Sequence, residues 1–176
     1  KALQDPDSAP FAYPVPPITV GDLTRMVVLR KKIAEGTATP SDLQTYDDVS
    51  ATRQKAVDDA VGIAAAAIVE ARRDKLHVTG LWSGLYNVAR AVREMGYRDF
   101  NPENAICVGG GLKRAILPDD YREFVYETFN IRPERNYQNY SMQELQSGMP
   151  RCRKGNRYHI PPWVVPLVLD KSGDTL

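Results

Sequence analysis

Two short stretches have side chains whose types and order could do chemistry. The first, Val108-Gly109-Gly110-Gly111-Leu112-Lys113, follows a β-rich run and carries three consecutive glycines. Without a Cβ, such a segment lets backbone N–H groups approach a ligand closely or adopts positive φ. It is not a phosphate-binding Walker loop, because no Gly-Lys-Ser/Thr follows a four-residue spacer. Nor is it the dinucleotide fingerprint, which needs a final glycine where Arg114 stands. A plain tight turn would use the same glycines. The second stretch is Tyr140-Ser141-Met142-Gln143-Glu144. An aromatic ring to stack on a base, hydroxyl and amide groups, and a carboxylate for Mg²⁺ would together suit a nucleotide. The same residues also fit a helix start, with Ser141 as N-cap and Glu144 at the third position of a capping box. A third pair, Cys152 and His159, flanks the turn Lys154-Gly155-Asn156 and has metal-ligand character. Two ligands fall short of the four of a structural zinc site, so a free thiol and a surface histidine are the simpler reading. Trp163, flanked by Pro161 and Pro162, reads as packing.

These residues need elements to hold them. Leu76–Gly80 is β-rich and ends in glycine, Trp82 to Met95 is amphipathic, and Asn104–Gly109 is a second short strand. Pro118-Asp119-Asp120 opens a helix over Tyr121–Phe129, and Arg132–Tyr140 reads as a third strand. Tyr158–Asp170 reads as one or two more strands interrupted by Pro161, Pro162 and Pro166, and Asp170–Asp174 has turn composition. Strands alternating with helices favour βαβ units, so we expect an α/β fold with a largely parallel sheet flanked by helices. In such sheets ligands bind beyond the carboxyl ends of the strands, where the glycine segment falls.

The first 75 residues differ in character. Five prolines within the first 17 residues predict an extended arm over residues 1–20. Residues 21–75 should be helical: Leu23, Met26, Val27, Leu29 and Ile33 have helical spacing that ends at Gly36. Thr39-Pro40-Ser41-Asp42 then combines an N-cap, a first-turn proline and a first-turn acid. The helix it opens should run to about Lys75, with one bend or break near Ser50 or Gly62. Residues 76–176 form the α/β portion.

Composition narrows the class. Of 176 residues, 43% are apolar and 26% charged, which is the composition of a folded domain. Lys and Arg number 23 against 22 Asp and Glu, so no net charge favours a nucleic-acid surface. The longest apolar run, Ala60 to Val69, is too short to span a membrane. The start has no apolar signal core, and two cysteines cannot staple a small secreted fold. A cytoplasmic, reduced compartment is expected. With two histidines and no local Ser/His/Asp or Cys/His signature, a hydrolytic triad is not expected.

Gly109-Gly110-Gly111, Tyr140-Ser-Met-Gln-Glu144, Met149-Pro-Arg-Cys and Tyr158-His-Ile-Pro-Pro-Trp-Val occur in an order that resembles the adenylate-forming superfamily of acyl-CoA synthetases. Within it the chain is similar to the phenylacetate-CoA ligase and acyl-protein synthetase (luciferin-component ligase) branch, across roughly Leu76 to Leu176. The resemblance implies an enzyme that activates a carboxylic acid with ATP and Mg²⁺, then passes the acyl group to CoA or a carrier or acceptor protein. It implies that the backbone of Gly109, Gly110 and Gly111 borders the adenine and acyl pockets and that Tyr140 packs on adenine. Gln143 would stand near the α-phosphate and Glu144 would bind Mg²⁺. The family hallmark is Tyr-Gly-x-Thr/Ser-Glu, so Ser141 replaces the usual glycine and Gln143 the usual hydroxyl residue. The family's Ser/Thr/Gly-rich loop ending in Pro-Lys has no counterpart upstream, and its ribose-binding Asp and catalytic Lys domain would lie beyond Leu176. The chain is therefore expected to be the central piece of such a synthetase. A binding or structural module that kept the fold and lost the chemistry is the alternative.

Overall fold

The structure is a computed structural model and describes residues 19–112, 115–142, 144–155 and 157–174. The arm over 1–18, Lys113, Arg114 and Gln143 lie outside the described residues. The chain divides into two compact units, Lys1–Ala67 and Ile68–Leu176.

Two helices make up the described part of the first unit. Helix α1, Val20–Ala34, starts from a capping box in which the Thr19 hydroxyl accepts from Asp22 N–H and the Asp22 carboxylate accepts from Thr19 N–H. It buries Met26 and Leu29, while Val27 and Leu23 remain exposed. Helix α2, Pro40–Glu70, has 31 residues, a length of about 46 Å at 1.5 Å per residue. Its start repeats the device: Thr39 Oγ1 accepts from Asp42 N–H at 3.1 Å, and Asp42 Oδ2 accepts from Thr39 N–H at 3.0 Å. Lys32 reaches the same carboxylate at 3.0 Å and ties the end of α1 to the start of α2. A break near Ser50 or Gly62 is absent: α2 is one continuous helix ending at Glu70, not Lys75. A single glycine costs about 1 kcal/mol in a helix. Flanking alanines and the i,i+4 pairs Gln54–Asp58 and Lys55–Asp59 oppose that cost.

The second unit is α/β. Strand β1, His77–Gly80, leads into α3, Trp82–Glu94, then β2, Ala105–Gly109, then α4, Tyr121–Thr128, then β3, Asn136–Met142. The sheet order is β1-β2-β3 with parallel pairing, and β4, Ser147–Pro150, adds antiparallel to β3. The mostly parallel sheet expected from the sequence is therefore present. Burial alternates along β1 and β2: Val78, Ile106 and Val108 are buried, and Thr79 and Cys107 are not. Leu85, Val88, Ala89 and Val92 of α3 are buried, as are Val125 and Phe129 at α4. Arg93 clamps the two helices, donating from Nε to Thr128 Oγ1 at 2.7 Å, with its guanidinium over the Phe124 ring.

Helices α3 and α4 end alike. After α3, Gly96 (φ 85°) donates to Arg93 C=O and Tyr97 donates to Val92 C=O. After α4, Asn130 (φ 53°) donates to Glu127 C=O and Ile131 to Tyr126 C=O. Both are Schellman motifs, whose left-handed residue is best served by Gly or Asn.

Three expectations are corrected. The third strand starts at Asn136, not Arg132, because Pro133–Arg135 forms a 3-10 turn first. No helix starts at Ser141: it pairs with Gly148 in the β3–β4 ladder, and Glu144 sits in the hairpin turn. The capping-box reading of this stretch therefore fails. Among the described residues, 158–170 contains no extended strand, only single bridge residues at Tyr158, paired with Arg151, and at Leu169. Pro161, Pro162 and Pro166 remove the donors a ladder would need. The turn at Asp170–Asp174 is present, closed by Asp170 Oδ1 accepting from the N–H groups of Ser172 and Asp174.

Candidate functional site

The parallel ladder brings the two chemistry-bearing stretches together. Gly109, at the end of β2, is in register with Asn139, one residue before Tyr140 on β3. Both stretches thus lie at the carboxyl edge of adjacent parallel strands. Gly110 has φ 67°, a left-handed conformation that turns the chain away from β2 and that other residues rarely adopt.

A cleft of about 320 Å³ opens at this edge. Gly110, Gly111 and Leu112 form one wall, Gln138 and Asn139 of β3 another, and Trp82, Tyr121, Arg122 and Tyr158 complete it. Trp82 is buried and packs edge-on against Tyr121, with ring centres 5.3 Å apart. Arg122 lies over both rings, at 5.6 Å from Trp82 and 5.3 Å from Tyr121, and its Nε donates to Tyr121 Oη at 2.9 Å. Cation–π contact and this hydrogen bond hold a positive charge at the mouth. Helices α3 and α4 both begin at this edge, and neither N-cap, Leu81 or Asp120, makes a side-chain hydrogen bond to its first turn. The partial positive charge of both helix starts adds to that of Arg122.

The candidate residues divide around this cleft. Gly110 and Gly111 line it, and Gly109 ends the strand beneath it. Tyr140 stands beside it, its ring centre 5.8 Å from that of the lining Tyr158. Ser141 and Glu144 are exposed and do not line it. Cys152 and His159 stand in a tight segment where Cys152 N–H donates to Arg157 C=O and His159 N–H to Pro150 C=O. Among the described residues, no group of three or more His, Cys, Asp and Glu side chains is placed to hold a metal ion. Backbone N–H groups of Gly155 and then Lys154, directed at the sulfur, hold the Cys152 thiol below its ordinary pKa.

Trp82, Tyr121, Arg122, Gln138 and Asn139 were not singled out from the sequence as site residues, and Tyr158 entered only as the first residue of a quoted motif. A signal existed for two of them: Trp82 and Tyr121 are the first residues of helices that follow parallel strands, positions that face the carboxyl edge. Among the described residues no helix is long and apolar enough to cross a membrane. No family model, curated protein or solved structure matches this chain.

Proposed function

We propose that this chain is the central part of an adenylate-forming ligase of the phenylacetate-CoA ligase and acyl-protein synthetase type. It would activate a carboxylic acid with ATP and hand the acyl group to the thiol of CoA or of a carrier or acceptor protein. The observation that carries the reading is the register of Gly109 with Asn139. It puts the glycine segment and Tyr140 on adjacent parallel strands beside one cleft that has a cation and two helix starts at its mouth.

The chemistry follows from that placement. An oxygen of the substrate carboxylate attacks the α-phosphorus of ATP, and the bond to the departing pyrophosphate breaks. The acyl carbon of the mixed anhydride is then attacked by a thiol, releasing AMP. Negative charge grows on the phosphate oxygens in the first step, and prearranged positive groups lower its barrier. Arg122 and the starts of α3 and α4 supply such groups here. Gly110 and Gly111 leave room for the nucleotide or acyl group, and Tyr140 offers a ring face for adenine. Glu144, exposed in the hairpin turn and outside the cleft lining, is the carboxylate that would hold Mg²⁺, which needs only one or two protein carboxylates alongside substrate phosphates. When bound, Mg²⁺ would neutralise phosphate charge there.

The test is Glu144→Gln in the full-length protein, read by carboxylate-dependent ATP–pyrophosphate exchange and by thermal melting. Loss of a cation ligand predicts an unchanged melt and a fall in exchange of roughly 10² or more. Equal melts and equal rates would favour a module that kept the fold without the chemistry, as the Ser141 and Gln143 departures would allow.

A further inference from the structure

A second cavity, of about 450 Å³, lies beyond the first one along β3. Asn136 and Gln138 form its floor, Pro133 and Glu134 one rim, and the segment 151–154 the other. Its charge is unlike that of the chain as a whole. Overall, 23 basic residues balance 22 acidic ones, yet Arg151, Arg153 and Lys154 line this cavity against the single carboxylate of Glu134.

These cations are held as well as clustered. Arg151 Nη1 donates to Gln138 Oε1 at 2.6 Å, and the Arg153 guanidinium rests 4.6 Å from the centre of the Tyr137 ring. Neither Arg153 nor Lys154 forms an ion pair among the described residues. On the floor, Asn136 Nδ2 donates to Tyr126 Oη, while Asn136 Oδ1 is buried and has no donor among the described residues. A surface turn rich in lysine and arginine would ordinarily be only solvated. Here Arg151, Arg153 and Lys154 line a concavity of small-molecule size with amides at its base. Guanidinium groups fixed by a ring and an amide lose little freedom on meeting a phosphate, and their donor geometry matches its oxygens.

We propose that this cavity binds a small phosphate-bearing molecule, a diphosphate or an organic phosphate ester. Arg151, Arg153 and Lys154 hold the phosphate, and the Asn136 amide orients the remainder. Gln138 lines both hollows, but the proposal does not rest on the adenylate reading, since none of the cavity's residues belongs to the glycine segment or to Tyr140–Glu144.

Cys152 lines the cavity and provides a reporter, and Cys107 on β2 is a free thiol outside it. The experiment titrates inorganic pyrophosphate and ADP into the chain by calorimetry. In parallel, iodoacetamide labelling of Cys152 and Cys107 is followed by peptide mass spectrometry. We expect saturable binding, several-fold slower labelling of Cys152, and unchanged labelling of Cys107. Arg153→Gln with Lys154→Gln should weaken binding at least about tenfold, the scale of charged hydrogen bonds, without moving the thermal melt. Tyr140→Ala should leave this binding unchanged, which separates the site from any adenine contact at the carboxyl-edge cleft. Tighter binding of ADP than of pyrophosphate identifies an ester ligand; equal binding identifies the free diphosphate. Three results would overturn the proposal: no binding of either probe below millimolar concentration, equal binding by the double variant, or binding of single-stranded RNA where neither probe binds.

Discussion

The side chain of Asn139 fills the space beside Gly148. A Cβ built on Gly148 would stand 2.8 Å from Asn139 Nδ2, closer than real contacts allow. Asn139 also lines the carboxyl-edge cleft, so the residue that meets the hairpin glycine is a wall of the cleft as well.

Gly148→Ala should therefore act on the site more than on the fold. The obstructing atom is the end of a side chain, which can rotate, so the stability cost should be about 1 kcal/mol, at the low end for overpacking. Rotation of Asn139 should change ligand affinity at the cleft several-fold. Asn139→Ala in the same chain should abolish the stability cost, and denaturant melts of the single and double variants test this. A cost that persists in the double variant would place the clash elsewhere.

Tyr140→Ala tests the proposed adenine contact. Stacking of a base on an aromatic ring contributes about 1–3 kcal/mol, so ATP binding by the full-length protein should weaken by roughly one to two orders of magnitude. Tyr140 is 41% exposed, which makes a folding defect from this change small. Calorimetry showing parent-like affinity would remove Tyr140 from the site.

Asn104 is a structural hinge pin whose loss should be felt globally. It is fully buried, accepts from Leu76 N–H at 2.8 Å, and donates to Phe129 C=O at 3.0 Å. It thereby joins the entry of β1 to the end of α4. Asn104→Ala leaves both backbone groups without that partner and should cost about 2–4 kcal/mol, seen as a lower urea midpoint.

The Cys152 thiol should titrate early. Its sulfur receives the N–H groups of Gly155 and Lys154, which stabilise the thiolate and lower the pKa. The midpoint of iodoacetamide labelling against pH should fall below the ordinary thiol value of about 8.5. A midpoint at or above that value would show that the turn does not direct those donors at the sulfur in solution.

Acid should loosen the start of α2. The Asp42 pKa is lowered, first by the Thr39 backbone N–H and then by Lys32. A carboxylate whose folded pKa lies below its unfolded value stabilises the fold above the unfolded value, and that contribution disappears as pH falls through the folded one. Helical circular dichroism should thus decline on acidification below about pH 4, and Asp42→Asn should flatten that decline. At neutral pH, Thr39→Ala should cost about 1 kcal/mol, as loss of an N-cap does.

What the sequence determined alone was local. The caps at Thr39 and Gly36, the apolar spacing of Trp82–Met95, and the β-rich runs ending at Gly80 and Gly109 encode their own structure through backbone preferences and periodicity, and the α/β alternation follows from them. Tertiary structure decided everything that depends on pairing. Residues 140–144 suit a helix start and a hairpin equally well in isolation, and only the ladder from Ser141 to Gly148 selects the hairpin. The continuity of α2 through Gly62 depended on its alanines and i,i+4 side-chain pairs outweighing one weak position. Arg122 and Trp82, 40 residues apart, meet because α3 and α4 both begin at the carboxyl edge of one sheet. Local preferences are set by a residue and its near neighbours, whereas a cleft is set by which strands hydrogen-bond and in what register.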